Sequence, residues 1–279
     1  MKIYCEPTLT SSRKEALTEL VKRCQEDEPI TLSLPEDGCW YLTACEGEQN
    51  PKACLILCPA GNNLREVYAF THPNYRRKGL FSMLYQQALG LIRQEEQTIG
   101  ENIHLLFLSD EKSPQAQAAY HAMGFRLISS EYVMELHSSS SHRPSLSPDL
   151  SRRKPLWKNL SLTREEFEDE EEKSLLFQAY LPAFSCPGKK SGIHRCSSLV
   201  KAGSCRLLPY GPQRFYLYHV LIPQDLRGLG LGTALLSALL DTLPENSVLF
   251  LQVSSENPAA LHLYKKTGFR ICRTLSYYS

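Results

Sequence analysis

Twice in this chain an extended run of apolar and aromatic residues enters a basic, glycine-bearing turn and leaves it as an amphipathic helix. The fuller copy is Tyr216 to Leu236, YLYHVLIPQDLRGLGLGTALL, with Gly228, Gly230 and Gly232 where the helical pattern begins. The other runs from Arg65 through HPNYRRKGLFSMLYQQALGLIRQ, where Arg76-Arg77-Lys78-Gly79-Leu80-Phe81 falls on Arg227 to Gly232. The correspondence continues downstream. Tyr120-His121-Ala122-Met123-Gly124-Phe125 aligns with Tyr264-Lys265-Lys266-Thr267-Gly268-Phe269, and Ser113-Pro114 with Asn257-Pro258. Repetition on this scale predicts two domain-sized units of one fold, strands alternating with helices, not a short solenoid repeat.

Glycine at a strand-to-helix turn has a chemical use. The first turn of a helix has unpaired N–H groups and a partial positive charge, and residues without Cβ let an anion approach them. Such a loop suits phosphate oxygens. It is not a P-loop, because no Gly-Lys-Ser/Thr follows. It is not the dinucleotide fingerprint, because the third glycine of that pattern is out of place. Arg227-x-x-Gly230-x-Gly232 instead resembles the acyl-CoA-binding motif of the GNAT superfamily of N-acetyltransferases, Gln/Arg-x-x-Gly-x-Gly/Ala. A second stretch, Leu249 to Phe269, resembles that superfamily's other signature: a strand, then Asn257, then Tyr264, then Gly268-Phe269.

The resemblance implies an α/β fold with a mixed sheet, flanked by helices and splayed between the strand before the glycine loop and the strand before the tyrosine helix. The pantetheine arm of acetyl-CoA would lie in the gap and pair with backbone groups as an extra strand would. By position, Val220, Leu221 and Ile222 would hold pantetheine. Arg227, Gly228, Leu229, Gly230, Leu231, Gly232 and Thr233 would hold the pyrophosphate. Leu221 and Ile222 equally suit a plain core. Asn257 matches the position that steadies the cofactor arm, and Asn before Pro is also a good helix N-cap. Tyr264 matches the tyrosine that serves as general acid toward the departing thiolate. A phenol's ordinary pKa of ~10 exceeds a thiol's ~8.5, so full proton transfer costs roughly 2 kcal/mol, and hydrogen bonding to the developing charge is the larger part.

The base is not evident. Where family members place a glutamate, this chain has Tyr216 or Gln252, and water relayed through Tyr216 or Tyr218 is the preferred expectation. His219 is expected on the opposite side of the strand from Tyr216 and Tyr218. The first copy departs from the motif at Phe81 and at Ser113, so chemistry is expected in the second copy. Two readings remain: an acetyl-CoA-dependent N-acetyltransferase acting on a primary amine of a small molecule or peptide, or a non-catalytic tandem acyl-CoA-binding scaffold.

Composition narrows the rest. The formal charge is +1 over 279 residues, which gives no global field for nucleic acid or an anionic membrane. No apolar run reaches membrane-span length, and the N-terminus lacks a signal-peptide core, so the expectation is a cytoplasmic protein. Ten cysteines show no CxxC pair, and neither a disulfide framework nor a metal site is expected. The expected domains are 1–137 and 156–279, joined by a Ser/Pro-rich linker at 138–155. The pair is expected to pack as a pseudo-dimer within a monomer.

In chain order, a helix is expected over 13–25 with Ser12 as its cap. Strands follow at 39–45, 52–59 and 65–71, then a helix from Leu80 to Gln94, a strand at 104–109, a helix at 114–123 and a strand or hairpin over 125–136. The second copy is expected to open on a helix capped by Thr163 and Glu166, with two strands in 186–210. Loops 186–195 and the linker are expected to shape the acceptor pocket.

Overall fold

The structure, a computed structural model, describes residues 1–47, 49–138, 160–168, 173–182 and 199–279. The linker expected at 138–155, beyond Ser138, and loop 186–195 lie outside the described residues. The chain forms two compact units: Met1–Glu131 with Arg273–Ser279, and Tyr132–Cys272. The last seven residues therefore belong to the first unit, and the end of the strand before the linker belongs to the second.

In the first unit β1 (Lys2–Glu6), β2 (Trp40–Cys45), β3 (Pro51–Gly61) and β4 (Leu64–Thr71) pair antiparallel in succession. β5 (His104–Asp110) runs parallel to β4, and the C-terminal end of β12 (Arg270–Tyr278) pairs antiparallel with β5. β3 is buried on both faces from Pro51 to Cys58, and its alternation divides two cores. Cys54, Ile56 and Cys58 meet Leu17, Leu20, Val21 and Cys24 of α1 (Ser11–Asp27). Ala53, Leu55 and Leu57 meet Leu80, Leu84, Ala88 and Ile92 of α2 (Leu80–Ile99). Each such buried leucine contributes about 1.5–3 kcal/mol. α1 starts two residues earlier than expected, with Thr10 as its cap, because the Thr10 side chain accepts from Arg13 N. The unit also holds α3 (Pro114–Ala122) and the first part of β6 (Leu127–His137), up to Glu131.

The second unit opens on strands. β7 (Ser161–Glu168) and β8 (Lys173–Pro182) pair antiparallel from Ser161↔Tyr180 to Glu168↔Lys173. This corrects the helix expected at Thr163. The capping pattern is local, whereas Phe177, Ala179 and Leu181 alternate into the core and recruit the charged stretch as an edge partner. In the cross-strand pair the Thr163 hydroxyl donates to Gln178 O at 3.4 Å instead of capping. β9 (Leu199–Pro209) pairs with β8 and with β10 (Arg214–Leu221). It is the strand that the described part of 186–210 contains. β11 (Val248–Ser254) follows α4 (Leu231–Leu240), and α5 (Pro258–Lys266) follows β11. Leu231, Leu235 and Leu239 of α4 share one core with Leu217, Leu249, Leu251 and Tyr264.

Candidate active site

In each unit the two parallel strands part before they end. β10 and β11 pair from Arg214↔Val248 to Tyr216↔Phe250, then run on unpaired with each other to Leu221 and Ser254. β4 and β5 pair from Leu64↔His104 to Val67↔Phe107 and then part likewise. A crevice beyond the carboxyl ends of parallel strands is where open α/β sheets hold ligands.

The second unit's glycine loop closes one side of its crevice. A 3-10 turn, Gln224–Leu226, leads to Arg227, whose Nε donates to the Ile222 carbonyl at 3.1 Å and ties the loop to the strand end. Gly228 (φ +75°) and Gly230 (φ +82°) are left-handed, a conformation that costs other residues ~1 kcal/mol or more. Gly230 caps α4 with no side-chain hydrogen bond, so the first-turn N–H groups of Leu231, Gly232 and Thr233 have the open geometry of an anion cradle. Gly232 serves packing: a Cβ there would stand 3.0 Å from Leu263 Cδ2 of α5. Val220, Ile222 and Leu229 pack partly on the core, whereas Leu221 is 60% exposed.

Across the crevice, Asn257 caps α5, its Oδ1 accepting from Ala260 N at 3.1 Å, with Pro258 at the first helical position. Tyr264, about two helical turns further on, is 8% exposed, with its ring 5.6 Å from that of Phe269. Among the described residues its hydroxyl has no hydrogen-bond partner. Burial, with smaller contributions from Cys205 and Tyr216, pushes its pKa up to about 12, so it is a neutral O–H donor at physiological pH.

Tyr216 and Gln252, the two positions that correspond to a family glutamate, meet: the Tyr216 hydroxyl donates to Gln252 Oε1 at 3.4 Å. The Tyr216 ring also stacks on Tyr218, centroids 5.7 Å apart. His219 departs from simple alternation. A bulge between Tyr218 and Leu221 puts it at φ +50°, exposed, with its ring 5.1 Å from Tyr218.

The first unit repeats the frame with other contents. Ala69, Phe70 and Thr71 of β4, the Arg76–Ser82 turn and α3 line a cleft of about 530 Å³. Arg77 takes the left-handed place of Gly228 at φ +62°. Phe81, at the third motif position, packs 5.8 Å from Tyr120 and 6.2 Å from Phe107. Arg76 Nη1 lies 2.8 Å from Asp27 Oδ2, so the cation that would face phosphate is neutralised by α1. Tyr120 donates its hydroxyl to the Leu108 carbonyl at 2.9 Å. Asp27 and Glu28 were not singled out from sequence. The available signal was a pair of acids at the negative end of a helix, against the dipole preference.

Among the described residues no helix is long and apolar enough to cross a membrane, and no group of three metal-ligating side chains gathers. The eight described cysteines are free thiols.

Comparison with known proteins agrees with this geometry. The model of the acetyltransferase (GNAT) family matches twice, over residues 6–125 and 156–269. No curated protein matches the chain. Among solved structures, a GCN5-related N-acetyltransferase from Sphaerobacter thermophilus is 14% identical with a TM-score of 0.69, over 99% of this chain and 94% of that one. A tandem GNAT protein from the clavulanic acid biosynthesis pathway is 15% identical with a TM-score of 0.64, over 99% and 98%. At these identities the likeness is one of fold. With the family's sequence pattern matched in both units, and a parted pair of parallel strands beside a motif loop in each, this chain belongs to the acetyltransferase (GNAT) family as a tandem of two GNAT domains.

Proposed function

We propose that the protein is an acetyl-CoA-dependent N-acetyltransferase that moves an acetyl group to a primary amine by direct attack on the thioester, with the chemistry in the second unit. The observation that carries the assignment is the contrast between two matched tyrosines: the Tyr120 hydroxyl is spent on the Leu108 carbonyl, whereas that of Tyr264 has no partner among the described residues. The loop N–H groups from Leu231 to Thr233 hold the pyrophosphate of the co-substrate. The backbone of Val220 to Ile222 holds its pantetheine arm. As the amine's N–C bond forms and the C–S bond breaks, Tyr264 donates a hydrogen bond to the sulfur.

With the tyrosine near 12 and a thiol near its ordinary ~8.5, complete proton transfer costs about 5 kcal/mol, so stabilisation of the thiolate dominates. Water relayed by the Tyr216–Gln252 pair and Tyr218 accepts the amine's proton. The protein acts as a monomer in the cytoplasm. Free-thiol release from acetyl-CoA across peptides, polyamines, amino acids and aminoglycosides, with mass-spectrometric detection of the acetylated amine, tests this. Binding of CoA without turnover of any acceptor favours a non-catalytic acyl-CoA-binding scaffold.

A further inference from the structure

The first unit's cleft has lost features that favour an acyl-CoA and gained one that favours a cation. Glu28 ends α1 and lines the cleft, and its side chain is 10% exposed. Oε2 accepts from Ser113 Oγ at 2.8 Å and lies 3.6 Å from Arg76 Nη2. Oε1 is buried and has no hydrogen-bond donor among the described residues. A buried carboxylate oxygen without a donor is unfavourable, and a ligand that supplies N–H groups relieves it. Charge points the same way. Arg76 is shared between Asp27 and Glu28, so two carboxylates face one guanidinium and a negative charge is left over. The other cation lining the cleft, Arg77, is exposed. A volume of about 530 Å³ suits a small molecule, and the walls are mainly apolar.

We propose that this cleft is a binding site for a primary amine with an apolar body. The ammonium group donates to the Glu28 carboxylate once that group turns about its soft terminal bond, which exchanges the Ser113 hydrogen bond for the amine's, and the body lies against Phe70, Leu80, Phe81 and Ala119. The amine is not acetylated there, because the hydroxyl of Tyr120 is committed to the fold. This inference goes beyond the transfer reaction assigned to the second unit, and its readout is binding, not turnover.

The test is calorimetric titration of the full chain, without acetyl-CoA, with phenethylamine, tyramine and hexylamine, and with 2-phenylethanol as the uncharged counterpart. The expected result is saturable binding of at least one amine and at least tenfold weaker binding of the alcohol. Glu28→Gln weakens the amine at least tenfold, and Ala119→Phe, which fills the cleft without touching the carboxylate, removes binding. Thermal melts establish that the variants are folded. If Glu28→Gln does not fold, Ala119→Phe decides alone. No saturable amine binding, equal binding of amine and alcohol, or amine binding retained in full by folded Glu28→Gln or by folded Ala119→Phe overturns the proposal. So does displacement of the amine by CoA in a Gly230→Glu background, which would make the cleft an acyl-CoA site.

Discussion

Replacing Tyr264 and Tyr120 separately by phenylalanine parts a hydroxyl that serves the reaction from one that serves the fold. Tyr120 is 2% exposed and donates to Leu108 O at 2.9 Å, so Tyr120→Phe forfeits that bond. The net loss is about 0.5–1.5 kcal/mol, toward the upper end because the carbonyl it served is buried. A change of about 1 kcal/mol moves Tm by about 2–4 °C in a chain of this size. Tyr264 is also buried, but its hydroxyl has no partner among the described residues, so Tyr264→Phe is expected to leave stability within about 0.5 kcal/mol. Its effect falls on rate. Losing one donor to a developing anion costs about a hundredfold in kcat, or about 2.7 kcal/mol. The assay is thiol release at saturating acetyl-CoA, with a thermal melt of the same samples. CoA affinity is expected to survive both changes, because backbone groups hold the phosphates. Equal losses of rate from both variants, or a rate loss confined to Tyr120→Phe, would refute the reasoning.

Three further outcomes are expected. Gly232→Val drives side-chain atoms into Leu263, whose Cδ2 is already 3.0 Å from where a Cβ would stand, and costs about 1–3 kcal/mol, read as a lower Tm. Arg77→Gly relieves a left-handed arginine at φ +62° and stabilises the first unit by about 0.5–1 kcal/mol, read by urea unfolding. Alkali destabilises the protein. Burial raises Cys24 from 9.0 to about 11, Cys205 from 9.0 to about 12 and Tyr264 from 10.0 to about 12. The folded state therefore prefers the protonated forms. Their contribution is fully present below the unfolded values and is lost as pH climbs through about 9 to 12, so denaturant midpoints are expected to fall across that window.

What the sequence made legible is what repeats locally. The short apolar run Ala53 to Cys58, the helical spacing of Leu80, Leu84 and Ala88, and the glycine turns each carry their own conformational signal, and the structure has them where the pattern puts them. Thr163 and Glu166 misled because a capping box is a short-range signal, and pairing with β8 over eight residues outweighs it. At His219 a bulge resets the period of two, and nothing in YLYHVLI marks where the extra residue sits. Glu28 could not be placed at all. Its role depends on Arg76 and Ser113, brought to it by tertiary packing alone. The C-terminal seven residues join the first unit through pairs such as Leu275↔Asp110 and Ser276↔Ser109, a long-range register that local patterning does not encode.

The central claim is that transfer runs in the second unit, and the matched loop glycines test it most directly. Gly79 and Gly230 are both left-handed N-caps, at φ +76° and +82°, so a glutamate at either carries similar backbone strain and the same unwanted charge beside a phosphate-binding turn. Single-turnover acetyl transfer from acetyl-CoA to an accepted amine is measured for each folded variant. The account predicts loss of transfer in Gly230→Glu and near-native transfer in Gly79→Glu. Transfer that survives in Gly230→Glu and vanishes in Gly79→Glu would contradict it.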